Sequence, residues 1–160
     1  MSGLSDHSRK VIDHWIAKYP PNRQQSAVLA ALTEAQHENG GHLTVALMDE
    51  VADYLGMPRI AVYEVASFYS MLETKPVGRH SVSICTNLSC WLRGADALVT
   101  HVEKKLGIKT GSSTPDGRVY LKREEECLAA CCGAPMMMAD HKYYEDLTPA
   151  KIDEVLDGLT

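Results

Sequence analysis

The sequence predicts an α+β chain: an N-terminal helical bundle over residues 1–74, then a small α/β domain over residues 75–160. Three observations predict it. Apolar residues recur at helical spacing through the first seventy positions. After Lys75-Pro76-Val77-Gly78 the pattern changes to strand-like alternation with further helical stripes. All five cysteines fall in this second part.

The helices can be taken in order. Val11, Ile12, Trp15, Ile16 and Tyr19 share one face of the first, and Pro20-Pro21 stops it. Asn22 is the expected cap of the second, which carries Ala27, Val28, Ala31, Leu32 and Ala35 before Asn39-Gly40-Gly41 breaks it. Thr44 caps a third helix with Leu47, Met48, Val51, Ala52 and Leu55, and Gly56 closes it. Pro58 opens a fourth helix, with Ala61, Val65 and Phe68 as its stripe. Helices this short are marginal alone and must bury their stripes on each other or on a partner, so docking is the role assigned to this part. Core packing is the expected place of Tyr63, Phe68 and Tyr69, with a partner surface as the alternative.

In the second part, residues 80–84 (HSVSI) alternate as a strand and deliver Cys85. Leu92, Ala95, Leu98, Val99, Val102 and Leu106 form a helical stripe ended by Gly107. Pro115-Asp116-Gly117 is a turn signal, and residues 118–122 (RVYLK) read as a strand. Met136 to Ala139 suit a short buried strand, with a turn at Asp140-His141-Lys142. Thr148-Pro149 opens a final helix with Ile152, Val155, Leu156 and Leu159 inward. Strand, helix, two or three strands and helix make a small α/β sandwich, and a thioredoxin-like arrangement fits that order.

The cysteines carry the chemistry. Cys85 and Cys90 stand in CTNLSC, Cys127 and Cys131 in CLAAC. A [2Fe-2S] cluster takes four thiolates, two for each iron, so each pair reads as one iron's clamp if the two distant loops meet. Structural zinc prefers the tighter C-x2-C knuckle at both ends. A Rieske centre needs histidine ligands, and His80 is the nearest histidine to any cysteine. Cys132 is left over. Glu124-Glu125-Glu126 runs into Cys127, either as a solvated strand end or as charge that opposes electron uptake nearby. The Met136–Met138 triplet reads as core filler rather than as soft ligands, and the seven histidines show no pair at metal spacing.

Other classes are set aside. The formal net charge of −5 argues against nucleic acid as the main partner. The start, MSGLSDHSRK, lacks the apolar segment of a signal peptide, and nothing approaches the roughly 18 apolar residues of a membrane span. Five thiols without a signal suggest a reducing, cytosolic compartment. Dinucleotide and P-loop glycine motifs are missing, as is any recognisable nucleophile–base pair, so the expectation is an electron carrier whose substrate chemistry lies on another chain.

CTNLSCWLRGADAL, KKLGIKTGSSTPDGR, ECLAACCGAPMM and YYEDLTP, with VASFYSML and KPVGRH upstream, resemble the thioredoxin-like [2Fe-2S] subunit of NADH:quinone oxidoreductase, respiratory complex I, over roughly residues 8–159. The resemblance implies a helical domain followed by a thioredoxin-like ferredoxin domain with one [2Fe-2S] cluster on Cys85, Cys90, Cys127 and Cys131. It implies docking on the subunit that binds FMN and NADH, among other peripheral-arm subunits. The place implied is the cytoplasmic side of the inner membrane, with membrane association only through the complex. Alternatives are the equivalent diaphorase subunit of an NAD-linked hydrogenase or formate dehydrogenase and, in a different class, a zinc-stabilised binding module. Two positions depart from the family pattern. Ala129 stands where glycine is frequent, a substitution that costs roughly 1 kcal/mol where φ is positive. Gly133 stands where asparagine is frequent, a mild change if the position is left-handed. Cys132 matches no ligand position.

Overall fold

The computed structural model of the chain describes residues 3–122 and 127–160. It divides into two compact units, Met1–Pro76 and Val77–Thr160.

The first unit contains α1 (Asp6–Ile16), α2 (Val28–Glu38), α3 (Val45–Leu55) and α4 (Arg59–Phe68). Ser5 and Thr44 cap α1 and α3, each accepting a backbone N–H from the first turn at 3.2 Å. Ile12, Leu32, Leu43, Val51, Leu55 and Val62 are fully buried, each contributing about 1.5–3 kcal/mol of transfer free energy. A buried amide then ties the exit of α4 to α2. Gln36 donates from Nε2 to the Met71 carbonyl at 3.1 Å and accepts the Glu73 N–H at 2.6 Å.

Several expectations for this unit need correction. Asn22 caps nothing: its φ of 63° makes the turn after the prolines, and one 3-10 turn, Gln24–Ala27, leads into α2. Pro58 stands just before the fourth helix as its cap residue. The buried stripe of α4 is Val62 and Ala66, one residue round from the expected face. Phe68 is therefore 80% exposed, packed edge-on to Tyr69 at 5.2 Å, and Tyr63 and Tyr69 are exposed too. Trp15 and Tyr19 also lie at the surface, and the Lys18 ammonium sits 3.5 Å from the Trp15 ring centroid.

The second unit runs β1 (His80–Ile84), α5 (Leu88–Leu92), α6 (Ala95–Leu106), β2 (Ser112–Ser113), β3 (Val119–Leu121), β4 (Met137–Ala139), β5 (Lys142–Tyr144) and α7 (Pro149–Gly158). The sheet order is β2-β3-β1-β4-β5. β1 and β3 are parallel, joined through α5, α6 and β2, and the other pairings are antiparallel. Val82 stands opposite both Leu121 and Ala139, and Ile84 opposite Met137, which puts these residues on one face. That face packs on Leu98 and Val102 of α6 and on Ile152 and Leu156 of α7. Thr148 caps α7 as expected, accepting the Lys151 N–H at 3.3 Å, with Pro149 in the first turn. On the opposite face, the buried hydroxyl of Ser83 has no partner among the described residues.

Two elements escape the sequence pattern. β2 is two serines with no apolar alternation. Leu92, assigned to the long helical stripe, belongs instead to α5 and is exposed, because left-handed Gly94 separates α5 from α6. Gly78 lies against β3 so closely that a Cβ would stand 2.7 Å from the Tyr120 nitrogen.

Candidate metal centre

The thiols gather beyond the Ile84 end of β1. Cys85 follows the strand directly, and its N–H donates to the Met136 carbonyl at 3.1 Å. Asn87 caps α5 by accepting the Leu88 N–H at 2.8 Å, and this single turn carries Cys90 inward. Cys85 and Cys90 are each 2% exposed and form an apolar cluster with Ala95, Ala134 and Met136, against which Leu128 and Ala130 pack. The two loops, far apart in sequence, therefore meet. Burial pushes the Cys90 thiol up to about 11; a hydrogen bond from the Met136 backbone opposes the rise, and Cys85 and Cys131 nearby add to it.

Cys127 and Cys131 form the exposed half, with their sulfurs 3.3 Å apart. Two sulfurs held at ~2.3 Å by one tetrahedral metal stand about 3.8 Å apart, so this pair needs little movement to share an ion. Ala129 makes the turn between them with φ 64°, the left-handed value that glycine takes without penalty, and its N–H donates to Cys127 Sγ at 3.4 Å. Gly133 is a different case. It lies outside the left-handed set, so the expected kinship with asparagine is replaced by another reason: Glu145 packs where a Cβ would be.

Among the described residues, no group of three or more His, Cys, Asp or Glu side chains is arranged to hold a metal ion. The donor set, all thiol and in two neighbouring pairs, fits a [2Fe-2S] cluster. Cys132 is exposed beside Cys131. Glu124-Glu125-Glu126 lies outside the described residues. The sequence pattern passed over α5, although Asn87 ahead of Leu-Ser-Cys-Trp-Leu is a cap signal. No signal pointed to Glu145.

A thiol-lined end of a small mixed sheet defines a class, and the chain belongs to it: the thioredoxin-like [2Fe-2S] ferredoxin family, matched over residues 12–160. Within that class the chain is similar to E subunits of NADH-quinone oxidoreductase. It is 46% identical over 144 residues to the E subunit of the NADH-quinone oxidoreductase of Rickettsia bellii, covering 90% of this chain and 86% of that one. It is 44% identical over 151 residues to an E subunit of the same enzyme from Rhizobium meliloti, covering 94% and 88%. Among solved structures, an NAD+-reducing [NiFe]-hydrogenase in the air-oxidized state shares the fold, with TM-score 0.68 at 22% identity. That match covers 82% of this chain, which spans only 22% of the hydrogenase chain. No helix among the described residues is long and apolar enough to cross a membrane.

Proposed function

We propose that this chain is an electron-transfer subunit of NADH:quinone oxidoreductase, with one [2Fe-2S] cluster on Cys85, Cys90, Cys127 and Cys131. The observation that carries the reading is the meeting of the two thiol-bearing loops in a chain 46% identical to an NADH-quinone oxidoreductase component over 86% of that relative. A bound cluster supplies one-electron storage and transfer.

The chain's own residues supply the rest. The four thiolates would hold the irons, and N–H groups of Ala129 and Met136 donate to the sulfurs of Cys127 and Cys90, offsetting negative charge. Burial of Cys85 and Cys90 excludes water from one side. Exposure of Cys127 and Cys131 leaves the other side open to a redox partner. Beside the buried pair, α5 turns Leu88, Trp91 and Leu92 outward at 65, 54 and 69% exposure, an apolar surface that an interface within the complex would cover. The partner we assign there is the subunit that binds FMN and NADH, within the peripheral arm on the cytoplasmic side of the membrane. Residues 1–74 supply a separate docking domain, with the exposed aromatics of α4 as its contact.

Tagging the chain in its native host and isolating the intact complex tests the assignment. Copurification of a flavoprotein with NADH:quinone reductase activity is expected. Copurification of hydrogenase or formate dehydrogenase components instead would contradict it.

A further inference from the structure

A carboxylate lies over the second thiol loop. Gly133 closes the 3-10 turn Cys131–Gly133 and is buried. A Cβ on it would stand 2.5 Å from Glu145 Cδ, 2.6 Å from Glu145 Cβ, and closer still to Oε2. Only glycine leaves that room. Backbone bonds fix the approach: the Asp146 N–H donates to the Gly133 carbonyl at 2.7 Å and the Leu147 N–H to the Pro135 carbonyl at 2.9 Å. Among the described residues no cation pairs with the Glu145 carboxylate; the Lys151 ammonium donates instead to the Glu145 carbonyl oxygen at 2.5 Å.

We propose that Glu145 is a positioning charge for the redox step, lowering the reduction potential of the centre held by the four cysteines. The proposal rests on the cluster reading above. Cys131 is two residues from Gly133, so the carboxylate stands on the order of 10 Å from that sulfur. Reduction adds one electron to a group that is already anionic, and no bond forms or breaks. A fixed negative charge at ~10 Å disfavours the reduced form by about twofold in water and by about fifteenfold at an effective dielectric of 20. Gly133 and Glu145 thus act together, the missing side chain of one admitting the charge of the other.

The test is a dithionite titration of the full chain with its cluster loaded, followed by EPR, on wild type, Glu145→Gln and Glu145→Asp. Iron and sulfide are counted first on each. Glu145→Gln is expected to load equally and to be reduced at a higher potential, with the reduced-to-oxidised ratio at fixed potential raised about twofold or more at low salt. The offset shrinks as salt rises towards 1 M, because the carboxylate is exposed. Glu145→Asp keeps the charge and stays near wild type. An unchanged potential in Glu145→Gln, equal displacement of both variants, or loss of the cluster from Glu145→Gln alone would overturn the proposal and leave the cluster reading standing. Failure of wild type to hold two irons and two sulfides would remove both.

Discussion

His80 Nδ1 lies 2.6 Å from an Asp140 carboxylate oxygen, joining the first residue of β1 to the turn after β4. The other ring nitrogen lies 2.9 Å from the Thr160 carbonyl, and Asp140 also accepts the Ser81 N–H at 2.9 Å. The Thr160 carbonyl first, and Asp140 second, hold the imidazole pKa above its ordinary value of about 6.5. A raised folded-state pKa means the charged ring stabilises the fold. That contribution is complete below about pH 6.5 and is lost as pH rises through the folded value. Urea unfolding from pH 6 to 9 should therefore show wild type losing stability relative to His80→Ala. A constant difference across that range would refute the linkage.

Gly78 allows the entry to β1 to lie flush against β3. Its missing Cβ would meet backbone atoms of Val119 and Tyr120, which cannot swing aside. Gly78→Ala should cost about 1–3 kcal/mol, read from the urea midpoint. Gly117→Ala makes a useful contrast, since that position has open space and its cost comes from positive φ alone.

Ala129 holds a left-handed turn between Cys127 and Cys131. Ala129→Gly should stabilise the loop by about 0.5–1 kcal/mol net, strain relief exceeding the extra chain entropy of glycine. Slower loss of iron to a chelator would show it. Faster loss would mean that the turn is not strained by its side chain.

Thiol accessibility separates the five cysteines. Cys127, Cys131 and Cys132 are exposed, whereas Cys90 is buried with its thiol raised to about 11. Iodoacetamide at pH 8 should label the first three and spare Cys85 and Cys90. Loading the cluster should protect Cys127 and Cys131 and leave Cys132 reactive, as mass mapping would show. Cys132→Ser accordingly keeps the cluster.

Much of this fold was legible because periodicity and caps agreed. Thr44 and Gly56 bracket α3, and Thr148-Pro149 starts α7, at the expected places. What the sequence hid depends on contacts between distant residues. The face that α4 buries is chosen by packing around Val62 and Ala66, so Phe68 reads as core yet stands in solvent. β2 exists only because Ser112 and Ser113 pair with Leu121 and Tyr120. At the candidate site the four thiols were visible from their paired spacing. The reason for Gly133 was not, because Glu145 is twelve residues away and reaches it only through the fold.

Counting iron and acid-labile sulfide in anaerobically purified full chain, then recording EPR after dithionite reduction, decides whether the four thiols hold a [2Fe-2S] cluster. Two irons and two sulfides per chain with a spin-half signal are predicted, lost in Cys85→Ser and Cys127→Ser and kept in Cys132→Ser. Stoichiometric zinc in a colourless protein with no signal would contradict the account and make the thiol pairs a structural clasp.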